Sequence, residues 1–345
     1  MISSIDPKTR LIFRGTLILL VILGHNYWVH DKAYEFYKWL YSFHVGSFLA
    51  LSAFTQARLR KIPEKALSYL WPYVVFSAVY GITFYLLLSP DRSADAQLIG
   101  LSCAILSGNA ETLDEFAGFE MLWFMPAFFT LYVANAAFAS LHSIGKLLAL
   151  LGFALVHLFA GTIPADIKAS LPFGIGIVGY MFLLISLFRY LAEIRVPLLI
   201  PILLFLASSI LFIISDTTAI LSDLEVPSWR EPLQLFSADA LFLSAAVSIL
   251  GICRIFAKNS RGMTKPLEWF GAQSLMIYFL HPPLIFIGYA AIEKAGLNQD
   301  EILALLITFA FSAMGGLLLS LVIDRSPIRH LLQAKSRRQR PTSSN

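Results

Sequence analysis

Arg14 and His25 stand eleven residues apart inside one apolar stretch, "FRGTLILLVILGHNYW" at residues 13–28. Charge is costly in hydrocarbon, so an ionisable side chain kept there is a functional candidate. At about 100° per residue, eleven residues close to about 20° from three full turns, so both side chains face one way. The rise between them is about 16 Å, which makes any ligand touching both a long one. An arginine offers a permanent cation suited to phosphate. An imidazole titrates near neutrality and serves as a general base or as a nucleophile. The structural alternatives are a snorkelling arginine and a histidine that only bonds within its helix.

Other polar residues recur at matching depth. His44 lies two turns into "WLYSFHVGSFLALSAF", where Gly46, Ser47, Ser52 and Ala53 allow close helix packing. In "LEWFGAQSLMIYFLHPPLIFIGYAAI", Ser274, Tyr278 and His281 fall at i, i+4 and i+7, one stripe of a helix. Pro282 and Pro283 then remove two backbone donors and free the carbonyls of Tyr278 and Phe279, which need partners in lipid. Glu120 and Trp123 lie one turn apart in "FEMLWFMPAFF", with Pro126 expected to free the carbonyl of Leu122, and Asp239 lies early in a later apolar run. A shared cavity is expected to gather several of these. Trp28, Trp39 and Trp123 also suit interfacial anchoring.

Composition dictates what must hold these groups. The chain has 345 residues, 57% hydrophobic and 14% charged, which excludes an ordinary soluble domain and indicates an all-α integral membrane protein. Apolar runs near the roughly 20 residues a bilayer requires occur at about 11–28, 37–57, 66–89, 120–140, 147–162, 171–189, 196–215, 234–253, 267–292 and 301–323. About ten transmembrane helices are therefore expected, in a single domain over 1–323, followed by a basic tail at 324–345. The first run is expected to stay as a helix, since Arg14 sits within it and no small-residue cleavage pattern follows.

Alternating connections place 20 Lys and Arg on the side of both termini and 6 on the other. The positive-inside rule then predicts both termini in the cytoplasm. The long outer loops are 90–120 and 216–231; within the first, "AQLIGLSCAIL" is too short to span and either lies along the interface or re-enters. Arg58, Arg60, Lys61 and Lys65 in "ARLRKIPEK" fall on the inner side, beside the Arg14 end of the first helix, where they attract a phosphorylated ligand. Topology-setting charge is the plainer alternative. Cys103 and Cys253 suggest neither a disulfide framework nor a metal site, and no metal is expected. The scattered positive charge argues against nucleic acid.

The arginine, ten residues, histidine pattern at 14–25, "FHVGSFLALSAF" at 43–54, "LWFMPAFF" at 122–129 and "GAQSLMIYFLHPPL" at 271–284 occur in order, followed by "DRSPIRHLL" at 324–332. In these it resembles the acyltransferase-3 family of bacterial membrane O-acyltransferases, which modify cell-surface sugars. It departs from the family pattern at Val45 and Gly46, where a small apolar residue and a proline are usual. It departs again in "SYLWPY", which lacks the arginine common before that proline.

The resemblance implies a multi-pass protein of the bacterial inner membrane that moves an acetyl group from cytoplasmic acetyl-CoA to a hydroxyl of an extracytoplasmic or lipid-linked glycan. Acetyl-CoA is then a cosubstrate, and no cofactor is tightly bound. It makes His25 the essential residue, as general base or acyl carrier. Arg14 is assigned to the donor, with Arg58, Arg60 and Lys61. Tyr278, Ser274 or His281 would stabilise the oxyanion, and Glu120 or Asp239 would orient a histidine. His44, Trp123, Ser274 and Asp239 complete the expected acceptor site, and Tyr27, Trp28 and Tyr41 suit stacking on sugar rings. Three rivals stand beside this reading: a succinyl or other acyl donor, a proton-coupled transporter using the same histidines, and an inactive relative.

Overall fold

The computed structural model describes residues 5–54, 57–88, 91–164, 167, 171–194, 196–217, 230–259 and 262–332. Among the described residues every regular element is helical. The described α-helices begin with α1 (Pro7–Gly24), α2 (Tyr27–Lys32), α3 (Tyr34–Tyr41), α4 (His44–Ala50), α5 (Ile62–Leu88), α6 (Ala94–Ser107), α7 (Ala110–Ala117) and α8 (Phe124–Ser140). They continue with α9 (Ser143–Phe159), α10 (Ile175–Ile194), α11 (Leu199–Ile214), α12 (Pro232–Asn259), α13 (Lys265–Lys294), α14 (Ile302–Arg325) and α15 (Arg329–Leu332).

Among the described residues, seven helices are long and apolar enough to cross a bilayer: α5, α8, α9, α10, α12, α13 and α14. The other three expected spans differ for separate reasons. α1 carries Lys8, Arg10 and Arg14 within its 18 residues. α11 has 16 residues, about 24 Å of helix against a hydrocarbon core of about 30 Å.

The expected second span, 37–57, is broken within its described part. It is divided among α3, α4 and a 3-10 turn at Leu51–Phe54. Phe43 leaves the helical region at φ −135°, ψ −30°. The Leu40 carbonyl accepts the Phe43 N–H in a tightened turn at 3.2 Å and the His44 Nδ1–H at 2.7 Å. Ser42 Oγ–H bonds the Lys38 carbonyl at 2.8 Å. Side chains thus occupy acceptors that a continuing helix would use.

The expected fourth span begins as a 3-10 turn, Glu120–Trp123, and becomes α-helical only at Phe124. Pro126 therefore lies in the first turn, where an N–H has no helical acceptor, so it frees no helical carbonyl. The 90–120 segment folds as two capped helices. Asn109 caps α7 by accepting from the Thr112 amide at 3.0 Å, and Gly108 and Gly118 close α6 and α7 in the left-handed region at φ 63° and 73°. The outer loop expected at 216–231 and the basic tail fall mostly outside the described residues.

The chain forms two compact units, one of residues 1–55, 148–168 and 179–321, the other of 56–147, 169–178 and 322–345. In the first, α1 is central: Ile12, Phe13, Leu17, Ile18 and Ile22 are fully buried, and α4, α12 and α13 pack around it. Gly15 and Gly271 set the α1–α13 contact. A Cβ on Gly15 would lie 2.0 Å from the Leu267 carbonyl oxygen, and one on Gly271 1.9 Å from that of Leu11. Backbone meets backbone there, which only glycine permits. In the second unit, α5 packs against α6, α7 and α8. The Tyr73 hydroxyl donates to the Ile105 carbonyl at 3.0 Å, and the Gln97 amide to the carbonyls of Gly81 at 3.1 Å and Phe116 at 2.8 Å.

Candidate active site

The Gly15–Gly271 contact aligns α1 and α13 in parallel, residue number rising along both. Arg14 consequently meets Ser274, donating Nη2–H and Nε–H to its Oγ at 2.7 and 3.1 Å. Ten residues beyond Gly15 and Gly271, the rings of His25 and His281 stand edge to face with centroids 5.1 Å apart. Arg14 and His25 therefore share the face of α1 that looks onto α13. Tyr278 lies beside His281, at 6.1 Å between centroids.

His44 joins through Tyr41, whose ring lies 4.6 Å from His44 and 5.7 Å from His25. Gly24 keeps the space open, since a Cβ there would sit 3.0 Å from His44 Nε2. The break between α3 and α4 turns His44 toward α1.

Each of the three histidines spends Nδ1 on its own backbone. His25 bonds the Val21 carbonyl at 2.8 Å, His44 that of Leu40 at 2.7 Å, and His281 that of Tyr278 at 2.8 Å. A carbonyl oxygen only accepts, so Nδ1 carries the hydrogen and Nε2 of each neutral ring carries a lone pair. Pro282 accounts for the third case. It withholds the N–H that Tyr278 would receive in an unbroken helix, and the His281 ring supplies a donor instead. The Nε2 atoms of His44 and His281 are buried without a hydrogen-bond partner among the described residues. His25, by contrast, is half-buried. These are three proton acceptors, of which His25 is the most accessible.

Asp239 bonds elsewhere. Its Oδ2 lies 2.8 Å from His157 Nε2, and its Oδ1 accepts the Tyr180 O–H at 2.9 Å. His157 Nδ1–H also donates to the Tyr180 carbonyl at 3.1 Å, and the two rings stack 4.4 Å apart. With an acceptor at each ring nitrogen, one proton lies between Nε2 and Oδ2. His157 is the buried residue of α9, whose other side chains are half-buried or exposed and, apart from Ser143 and Lys146, apolar, so this triad ties α9 to α10 and α12. His157 and Tyr180 were not among the expected site residues, and Tyr41 was expected to stack on a sugar rather than to sit between two histidines. For His157 a signal existed, a lone histidine in "FALVHLFAG".

The remaining expected residues belong to the other unit. Glu120 is exposed at the start of its 3-10 turn, and Trp123 is buried beside Phe124. Arg58, Arg60 and Lys61 are exposed around the turn Leu59–Lys61, where the Arg58 amide donates to the Tyr132 hydroxyl at 3.2 Å.

Apolar helices long enough to span and a line of polar groups between them define a multi-pass membrane protein. Residues 5–325 match the family model described as Acyltransferase domain, and the chain belongs to the acyltransferase-3 family. It is thus a membrane acyltransferase. No curated protein and no solved structure matches the chain.

Proposed function

We propose that this membrane acyltransferase takes an acetyl group from cytoplasmic acetyl-CoA and places it on a hydroxyl of an extracytoplasmic or lipid-linked glycan. The observation that carries this reading is the parallel α1–α13 contact, which holds Arg14 and His25 on one face. Their separation suits an extended donor, with phosphate at the arginine and thioester at the histidine.

His25 Nε2, with its lone pair, accepts the proton of the acceptor hydroxyl as that oxygen attacks the thioester carbonyl. The C–S bond then breaks, and the proton passes from the imidazolium to the departing thiolate. In the covalent alternative, Nε2 itself carries the acyl group between donor and acceptor. His281, beside His25, and Tyr278, beside His281, assist at the oxyanion or orient His25. The exposed Arg58, Arg60 and Lys61 offer positive charge to the coenzyme's phosphates. Ser274 orients Arg14. His44 completes the acceptor side, Glu120 and Trp123 are assigned to the glycan, and Asp239 acts through His157.

The same reading places both termini in the cytoplasm of a bacterial cell whose inner membrane the chain crosses ten times. Parallel crossing by α1 and α13 requires an odd number of crossings between them. The α3–α4 segment and α11 therefore cross together or not at all.

The test uses full-length protein in nanodiscs, labelled acetyl-CoA and a membrane saccharide extract. The expected result is label on saccharide with wild type, at least a 100-fold loss with His25→Ala, and a raised donor requirement with Arg14→Ala. Transfer that survives His25→Ala overturns the role of His25. If no CoA is bound or consumed, the donor is wrong; uptake that depends on His25 without transfer would establish the transporter instead.

A further inference from the structure

Beyond the histidine cluster, a cavity of about 310 Å³ opens between the start of α2 and the end of α13. Its aromatic lining is Tyr27, Trp28, Phe286 and Tyr289. Tyr27 and Phe286 are exposed, at 44% and 51%, and the Tyr27 ring lies 5.1 Å from that of Tyr289. The same lining includes Asp31, Lys32, Glu293, Gln299 and Asp300.

The walls are held in place before any ligand arrives. Trp28 donates its indole N–H to the Asp300 carbonyl at 2.9 Å and its backbone N–H to the Tyr289 hydroxyl at 2.9 Å. Tyr289 in turn donates to Asn26 Oδ1 at 2.6 Å, and the Asn26 amide donates to Thr308 Oγ1 at 2.7 Å. Lys32 pairs with Asp300 at 2.9 Å. Asn26 adjoins His25, and Tyr27 is two residues from it, at most about 8 Å along the chain.

Flat aromatic faces interleaved with carboxylate and amide acceptors suit a ligand with apolar ring faces and many hydroxyl donors. A belt that only anchored the chain in lipid has no use for three carboxylates and an amide around its rings. With three carboxylates against one lysine, the lining also repels anions.

We infer that this cavity is the acceptor subsite, and that it takes a neutral or amino saccharide in preference to an acidic one. The inference rests on the transferase reading for what the bound sugar is used for, but its test needs no turnover. Trimers of N-acetylglucosamine, glucosamine and galacturonic acid are titrated against full-length protein in nanodiscs, with Trp fluorescence as the readout. Each is supplied free and also carried on a polyisoprenyl lipid, and acetyl-CoA binding is measured in parallel.

The expected result is binding of the neutral or the amino trimer, in at least one of the two forms, with the acidic trimer weakest. Tyr27→Ala and Glu293→Gln should each weaken it about tenfold while acetyl-CoA binding stays unchanged. No binding by any trimer, equal binding by both variants, or tightest binding by the acidic trimer overturns the inference. Saccharide binding that depends on Tyr27 and Glu293 without acetyl transfer would leave this subsite standing and the transferase reading refuted. Transfer whose acceptor KM ignores both variants would do the reverse.

Discussion

His281 donates Nδ1–H to the Tyr278 carbonyl at 2.8 Å, the acceptor from which Pro282 withholds a helical donor. The proline thereby fixes the ring's tautomer and leaves its Nε2 lone pair for the cluster. Val21 and Leu40 hold His25 and His44 in the same form.

Replacing Pro282 should loosen that arrangement. In Pro282→Ala the new amide competes for the Tyr278 carbonyl, so His281 is expected to populate both tautomers. Side-chain 15N spectra of histidine-labelled protein check this. In wild type the His25, His44 and His281 rings should be protonated at Nδ1, and in the variant the His281 ring alone of these three should be in exchange. An unchanged His281 signal would refute the coupling between proline and tautomer.

The α1–α13 contact should tolerate no side chain. Gly15→Ala would put a methyl 2.0 Å from the Leu267 carbonyl oxygen, backbone that cannot move alone. Roughly 1–3 kcal/mol of destabilisation is expected from such overpacking, read as a lowered thermal midpoint in nanodiscs. Transfer should fall further than the midpoint alone predicts, because Arg14–Ser274 and His25–His281 separate together. Gly271→Ala should do the same, and the double variant should cost less than the two singles added.

Much of this was legible in the sequence. The helical phase of Arg14 and His25, the stripe of Ser274, Tyr278 and His281, and the carbonyl freed by Pro282 all follow from 3.6-residue periodicity and one missing amide. The break after Tyr41 was not legible, because "LYSFHV" contains neither proline nor glycine; it depends on two side chains bonding back to carbonyls. Asp239 could be recognised as a polar residue inside an apolar run. Its partners, His157 and Tyr180, come from helices far apart in sequence, and no local pattern pairs them. The cavity at Tyr27 and Phe286 was only partly legible: Tyr27 and Trp28 stood out, while Phe286, Tyr289, Glu293, Gln299 and Asp300 come from distant sequence that no local pattern joins to them.

Asp239 should matter for stability before it matters for chemistry. Asp239→Ala leaves His157 buried with its Nε2 partner gone, and α9 without the tie that holds its buried face. The loss should be on the order of 3 kcal/mol. His157→Ala should match it, and the double variant should add little. Thermal midpoints of the three variants check this, and donor KM should stay unchanged at a temperature where all are folded. A raised acceptor KM with an unchanged midpoint would instead make Asp239 a substrate residue.

Asp6 tests how firmly α1 is anchored below the site. Its carboxylate caps the helix, accepting from the Lys8 and Thr9 amides at 2.9 and 3.1 Å and from the Thr9 hydroxyl. Burial pushes its pKa upward, but the hydrogen bonds from Thr9 and Lys8 outweigh it and hold the group below its ordinary value of 3.8. A depressed carboxylate contributes stability above its unfolded pKa and loses it as pH falls through the folded one. Asp6→Ala should therefore cost about 1 kcal/mol at neutral pH. The gap between variant and wild type should close as pH falls below about 4. Thermal midpoints taken down to about pH 3 check the sign; a gap that widens under acid would show that the cap works through something other than its charge.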